Sequence, residues 1–177
     1  SFSAIFVTQL QEYLLYSGDT AFAEEMMPTA RAIIAAFTSQ LDNEKQLLKC
    51  RKEGIYWNFY EWSENLEGHL GSSDEEAFEA ALNCLMIFAL RCMAKIANAI
   101  GEEDKFTHLI APIQAGIRRR FFDEKSGLFR NREDSDAVSE LVNAFCVLAD
   151  VATPEESKKI AQILAAGDQG LTPATLS

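Results

Sequence analysis

Apolar residues recur along most of this chain at the spacing of a helix. Ile5, Phe6, Leu10, Tyr13 and Leu14, with Gln9 among them, follow an i, i+3, i+4 stripe that predicts a first helix, stopped by Ser17, Gly18 and Asp19. A second helix sets Ala30, Ile33, Ile34, Phe37 and Leu41 on one face, with Pro28 marking either its first turn or a kink after AFAEEMM. The third runs from Asp74, a candidate N-cap, to Gly101 and is apolar nearly all round, so it needs cover on most sides. Its length raises the question of a membrane span. Asn83, Arg91, Lys95 and Asn98 are costly in a bilayer, so the pattern predicts a buried inner helix, within which Arg91 needs a buried acid or a backbone carbonyl. A fourth helix is expected from Glu103 to about Phe122, carrying Phe106, Ile110, Ile113, Ile117 and Phe121 on one face and kinked at Pro112. The fifth uses Val138, Leu141, Val142, Phe145 and Leu148. The sixth opens on Thr153 as N-cap, Pro154 in the first turn and Glu156 closing a capping box, and its apolar side is Ile160, Ile163 and Leu164.

The helices repeat as hairpins. YSGDTAF and AIGEEDKF each join two helices through a glycine followed by acid-rich residues, while LDNEKQLLK and FDEKSGLFR each close a second helix with a similar turn. Both pairs recur after about 80 residues, as duplicated supersecondary units do. No strand alternation of useful length interrupts them. The fold class is all-α, one domain over 1–177, and long decorated connections on one side suggest a ring of helix pairs or part of one.

Composition narrows the chemistry. The 177 residues are 48% hydrophobic and 24% charged, an ordinary globular profile, and a net charge of -11 excludes long-range attraction to nucleic acid or anionic membranes. The basic run Arg118, Arg119, Arg120 falls where a helix ends, and cations there complement its dipole. Cys50, Cys84, Cys92 and Cys146 form no CxxC pair and His69 and His108 stand apart, so the spacing calls for no metal or other cofactor. Cysteines among apolar helical residues point to a reducing compartment, the cytoplasm. The N-terminus lacks methionine and a signal-like n-region, and reads as a cut edge.

The stretch GIYWNFYEWSENLEGHL, residues 54–70, fits neither a helix nor a plain turn. Trp57 and Trp62 stand close to Asn58, Glu61, Glu64 and Glu67. Two readings stand. The rings plug the end of a helical barrel, with the glutamates as a solvated turn. Alternatively, an indole stacks on the apolar face of a sugar while carboxylate and amide groups bond its hydroxyls. His69 is a lesser pocket candidate, His108 reads as a surface histidine, and Tyr13 and Tyr16 read as packing residues.

In order, LQEYLLYSGDTAFAEEMM, WNFYEWS, LNCLMIFALRCMAKIANAIGEEDKF, RRRFFDEKSGLF and VSELVNAFCVLADVATPEE resemble the catalytic barrel of bacterial α-L-rhamnosidases and related six-hairpin glycosidases. The resemblance implies an incomplete (α/α)6 barrel, about half of a ring of six inner and six outer helices. It implies that Glu61 and Trp62, matching the family's Asp-Trp pair, line a pocket for a terminal sugar, with Trp57 and Asn58 nearby; Glu61 departs from the family's usual aspartate. It also implies that the general acid and general base lie outside these residues, so none of the residues here is assigned a catalytic role and the isolated chain is expected to be inactive. The implied partner is a rhamnose-containing glycan or glycoside. Apolar faces left by a partial ring lead to an expectation of self-association. Two alternatives are a non-catalytic carbohydrate-binding barrel and a helical-repeat module for a protein partner. Arrays of the latter kind repeat at about 34 to 47 residues, not at the spacing seen here.

Overall fold

A computed structural model describes residues 2–50, 59–62, 65–66 and 77–167. Through them run six α-helices, α1 (Phe2–Ser17), α2 (Thr20–Thr38), α3 (Ala80–Ala99), α4 (Ile110–Phe121), α5 (Glu140–Leu148) and α6 (Pro154–Ala166). Two antiparallel β-hairpins join them, β1 (Leu41–Asp42) with β2 (Leu47–Leu48), and β3 (Phe122–Asp123) with β4 (Leu128–Phe129). α1, α3 and α5 pack in chain order with α3 in the middle, and α2, α4 and α6 each lie against the helix before them. The result is an arc of three helix hairpins.

Local chemistry explains most of the boundaries. Gly18 takes a positive φ of 69° to turn the chain out of α1, and the Asp19 carboxylate accepts the Phe22 N–H at 3.0 Å to start α2. Thr153 and Glu156 close the expected capping box on α6, with Pro154 in its first turn. α3 ends as Gly101 turns to a φ of 74°. Its expected N-cap, Asp74, lies outside the described residues, and the helix begins only at Ala80.

Four expectations need correction. The acid-rich stretch after Gly101 is not helical. The Asp104 carboxylate accepts the N–H groups of Phe106 and Thr107, introducing a 3-10 turn at Thr107–Leu109 before α4 begins at Ile110. Pro112 consequently falls in the first turn of α4, where a missing N–H costs nothing and no kink is needed. Pro28 is well inside α2 and on its exposed face, so it does not mark the first turn of that helix. The buried stripe of α1 is Ala4, Val7, Leu10 and Leu14, so Tyr13 and Tyr16 point outward; Tyr13 packs edge-on against Phe22, while Tyr16 is 87% exposed. Leu15 on α1 and Leu148 on α5 are exposed in the same way.

α3 carries the core. Leu82, Cys84, Met86, Ile87, Leu90, Met93 and Ile96 are all buried around its circumference, which is why its sequence is apolar on every side. It is long and apolar enough to cross a membrane, and here its neighbours enclose it. Arg91 leaves α3 at a half-buried position and donates to the Leu148 and Ala149 carbonyls, both at 2.9 Å, and to Asp150 at 2.6 Å. It thereby caps the C-terminus of α5; the carbonyls are one of the two partner types the sequence called for, while Asp150, 76% exposed, is a surface acid and not a buried one. All four cysteines are buried and unpaired in disulfides, with the Cys84 and Cys146 sulfurs 3.8 Å apart between α3 and α5.

The two hairpins are copies of one device. Asp42 accepts the Glu44 and Lys45 N–H groups, and Asp123 those of Lys125 and Ser126. Gln46 and Gly127 then take the same left-handed turn, at φ 59° and 73°. Each hairpin is gripped from the following helix by a buried asparagine. Asn83 accepts the Leu48 N–H at 2.8 Å and donates to the Glu79 carbonyl at 2.8 Å. Asn143 accepts the Phe129 N–H at 2.9 Å and donates to the carbonyls of Phe129 and Ser139 at 3.0 and 2.9 Å.

The basic run at the end of α4 does more than complement a dipole. Arg118 grips Glu156 of α6 through both guanidinium nitrogens, at 2.7 and 2.6 Å, and lies over the Phe122 ring. Arg119 donates to the Lys45 carbonyl at 3.0 Å, and Arg120 meets Lys45 on Glu133. The Arg118 guanidinium holds the Glu156 carboxyl at about 2, below its ordinary 4.5. Because the folded-state value is the lower one, this pair's stabilisation is complete above the unfolded value and fades as pH falls from about 4.5 to about 2. Arg118 is 39% exposed, so solvent screening leaves the pair worth about 1 kcal/mol. Glu156→Gln is therefore expected to lower the urea midpoint at pH 7 and to leave it unchanged at pH 2.

Candidate functional site

The connections at one end of the arc are short turns, Gly18–Asp19, 100–106 and 149–153. At the other end the connections 39–79 and 122–139 carry the hairpins and, among the described residues, the buried Glu61, Glu79, Asn131 and Ser139. Extended segments there are stitched together by bridges of Lys49 to Phe78, Glu79 to Arg132, and Arg130 to Val138. The Ala80 N–H donates to the Asn131 carbonyl at 3.0 Å, so the base of α3 is tied to the second long connection.

Glu61 and Trp62 sit on this decorated end. Phe59, Tyr60, Glu61 and Trp62 lead into a turn closed by the Tyr60 and Glu61 N–H groups, which share the Leu66 carbonyl at 2.9 and 3.2 Å, above a fully buried Leu66 side chain. Asn65 takes a positive φ of 63° in that turn, and its amide donates to the Ser135 hydroxyl at 2.9 Å. The Glu61 carboxylate is 9% exposed and accepts the N–H of Trp62 at 2.8 Å. Trp62 is 67% exposed, its indole tilted against the Phe59 ring at 4.7 Å. The indole thus presents a flat apolar face beside a held carboxylate. Trp57 and Asn58, and with them Glu64, Glu67 and His69, lie outside the described residues. His108 is exposed on the 3-10 turn at the opposite end.

The sequence reading missed three participants. Tyr60 donates its phenol to the Glu79 carboxylate at 2.8 Å, and Glu79 is 1% exposed at the residue preceding α3. Burial and then the Glu79 charge raise the Tyr60 phenol well above its ordinary value, so it stays a donor at any working pH. Arg132, its side chain only 11% exposed, grips Asp134 through two bonds of 2.9 and 2.6 Å. The signal for Glu79 was a carboxylate inside the apolar run AFEAALNCL. A separate cleft of about 450 Å³ lies beside β3 and β4, lined by Asp123, Lys125, Ser126, Arg130 and Asp136. Its Asp123 is engaged by the hairpin turn, whose hydroxyl and N–H bonds lower its carboxyl. Among the described residues no group of three or more His, Cys, Asp or Glu side chains could hold a metal ion.

No protein-family model matches the sequence, and no curated protein matches it. Solved structures do share the fold. The GH78 family rhamnosidase of Bacillus sp. GL1 superposes with a TM-score of 0.82 at 21% identity, over 97% of this chain and 18% of that one. The rhamnosidase from Klebsiella oxytoca with rhamnose bound gives 0.70 at 20% identity, over 93% of this chain and 30% of that one. The chain thus spans less than a third of either. Its fold is all-α, an incomplete (α/α)6 barrel with its six described helices arranged as hairpins.

Proposed function

We propose that this chain is part of the catalytic barrel of a glycoside hydrolase related to the α-L-rhamnosidases, and that its decorated end contributes one wall of a pocket for a terminal L-rhamnosyl group. The observation that carries the reading is the fold agreement along 97% of the chain at a TM-score of 0.82. The exposed Trp62 beside the held Glu61 supports it from the site itself. In this reading Trp62 stacks on the sugar ring, Glu61 accepts from its hydroxyls, and Trp57 and Asn58 border the same pocket.

Hydrolysis with inversion needs a general acid and a general base roughly 6.5 to 9.5 Å apart on opposite faces of the sugar. Glu61 and Glu79 both belong to the decorated end and each already accepts a hydrogen bond from this stretch, so we assign the acid and base to the remainder of a larger barrel. The same remainder, or a second copy of the chain, is proposed to cover the exposed Leu15 and Tyr16 face of α1.

The purified 177-residue protein is therefore expected to show no turnover of a chromogenic aryl α-L-rhamnoside and to bind L-rhamnose only at millimolar concentration. Titration by NMR should move the Trp62 indole signal. An unmoved signal at saturating sugar would overturn the pocket assignment, and turnover abolished by Glu61→Gln would bring catalysis into this chain.

A further inference from the structure

The chain contains an internal comparison. The segment α2, β1, β2, α3 and the segment α4, β3, β4, α5 share the same hairpin, the same left-handed turn position and the same asparagine grip on the second strand. They part at the residue before the inner helix. In the second segment that residue is Ser139, whose hydroxyl accepts the Val142 N–H at 3.2 Å as an N-cap and donates to Asn131. In the first it is Glu79, which caps nothing with its side chain and instead accepts the Tyr60 phenol. The connection between second strand and inner helix also differs, spanning 49–79 in one and 130–139 in the other. Closing this fold onto an inner helix therefore needs no buried carboxylate, as the second segment demonstrates. Burying one is unfavourable unless hydrogen bonds compensate it, and the Tyr60 phenol supplies one such bond from the aromatic loop.

We propose that the Tyr60–Glu79 hydrogen bond is a positioning contact for the Glu61–Trp62 pair, anchoring it to the start of α3. This rests on the sugar-pocket reading for its purpose, though not for its geometry. Tyr60 directly precedes the pair, and the turn behind it is also held through the Leu66 carbonyl and by the Asn65 bond to Ser135. Loss of the phenol bond removes the tie between this backbone and the start of α3 while those contacts keep the loop near the barrel, so the indole is expected to change its angle. Tyr60 and Glu79 are thus positioning residues: neither needs to touch a ligand, and Glu79 is too enclosed to do so.

The test uses the full chain labelled with 5-fluorotryptophan, whose two fluorine signals are assigned with Trp57→Phe. Tyr60→Phe removes only the hydroxyl, Glu79→Ala removes the acceptor, and Glu79→Gln keeps an oxygen to accept the phenol. The expected result is a single narrow Trp62 line in the wild type. Tyr60→Phe and Glu79→Ala should shift or broaden it and weaken L-rhamnose binding about fivefold, while Glu79→Gln stays near wild type. A merely structural role would instead change the urea midpoint and leave the Trp62 line of the folded protein alone. An unchanged Trp62 line in Tyr60→Phe overturns the proposal, and this variant decides the matter if Glu79→Ala fails to fold. A shifted line in a protein that does not bind L-rhamnose upholds the positioning contact and overturns the sugar reading.

Discussion

Replacing Asn143 with alanine is expected to lower the unfolding free energy by about 3 kcal/mol, a large share of what a domain of this size has to lose. The side chain is fully buried and serves three backbone groups at once: the Phe129 N–H, the Phe129 carbonyl and the Ser139 carbonyl. Alanine strips all three of a partner inside the core, and each unsatisfied group costs roughly 1 to 3 kcal/mol before relaxation or an entering water recovers part of it. Asn83→Ala should cost less, because one of its bonds, to the Leu48 carbonyl, is already long at 3.4 Å. Asn143→Asp offers a sharper check. It keeps an acceptor for the Phe129 N–H but turns a negative charge towards two carbonyl oxygens, so it should be destabilised at neutral pH and partly recover as pH falls. Urea titrations followed by helical circular dichroism measure all three, and a loss below about 1 kcal/mol for Asn143→Ala would mean that the hairpin stands without its grip.

These asparagines also mark the limit of what the sequence made legible. Elements fixed by neighbours in sequence were readable: the Gly18–Asp19 turn, the capping box at Thr153 and Glu156, and the recurrence of the hairpin turns. Each depends on residues within a few positions of one another, whose conformational preferences are intrinsic. Asn83 appeared only as a polar interruption in an apolar helix, since the strand it grips is 35 residues away. Glu79 and Tyr60, 19 apart, went unnoticed for the same reason. Where the reading went wrong, composition misled it. Acidic residues after Gly101 looked like a helix N-terminus, yet Asp104 spends its carboxylate on a turn before the helix. Tyr16 and Leu148 were assigned to packed faces by residue type, but they are 87% and 64% exposed. Glu61 and Trp62 were identified through resemblance; their adjacency is written in the sequence, while the burial of one and exposure of the other is set by the turn through Asn65 and Leu66.

That contrast in burial sets the expected result for Trp62→Ala. A ring two-thirds exposed, with Phe59 as its recorded ring neighbour, contributes little to folding, so stability should change by less than about 0.5 kcal/mol. Sugar binding should respond far more strongly. A pyranose offers a patch of C–H groups on one face, and the exposed indole is a large flat apolar surface for it, so removing it takes away much of the apolar contact a monosaccharide can make there. Affinity for L-rhamnose is expected to fall at least about tenfold, or about 1.4 kcal/mol. Trp62→Phe should fall between, keeping a smaller face. Measuring both quantities on the same protein separates the two readings of the aromatic stretch. A buried plug would lose about 3 to 5 kcal/mol of stability on truncation and leave sugar affinity unmoved in whatever remains folded. A pocket wall loses affinity and keeps its fold, and the exposure of the Trp62 indole favours this second outcome.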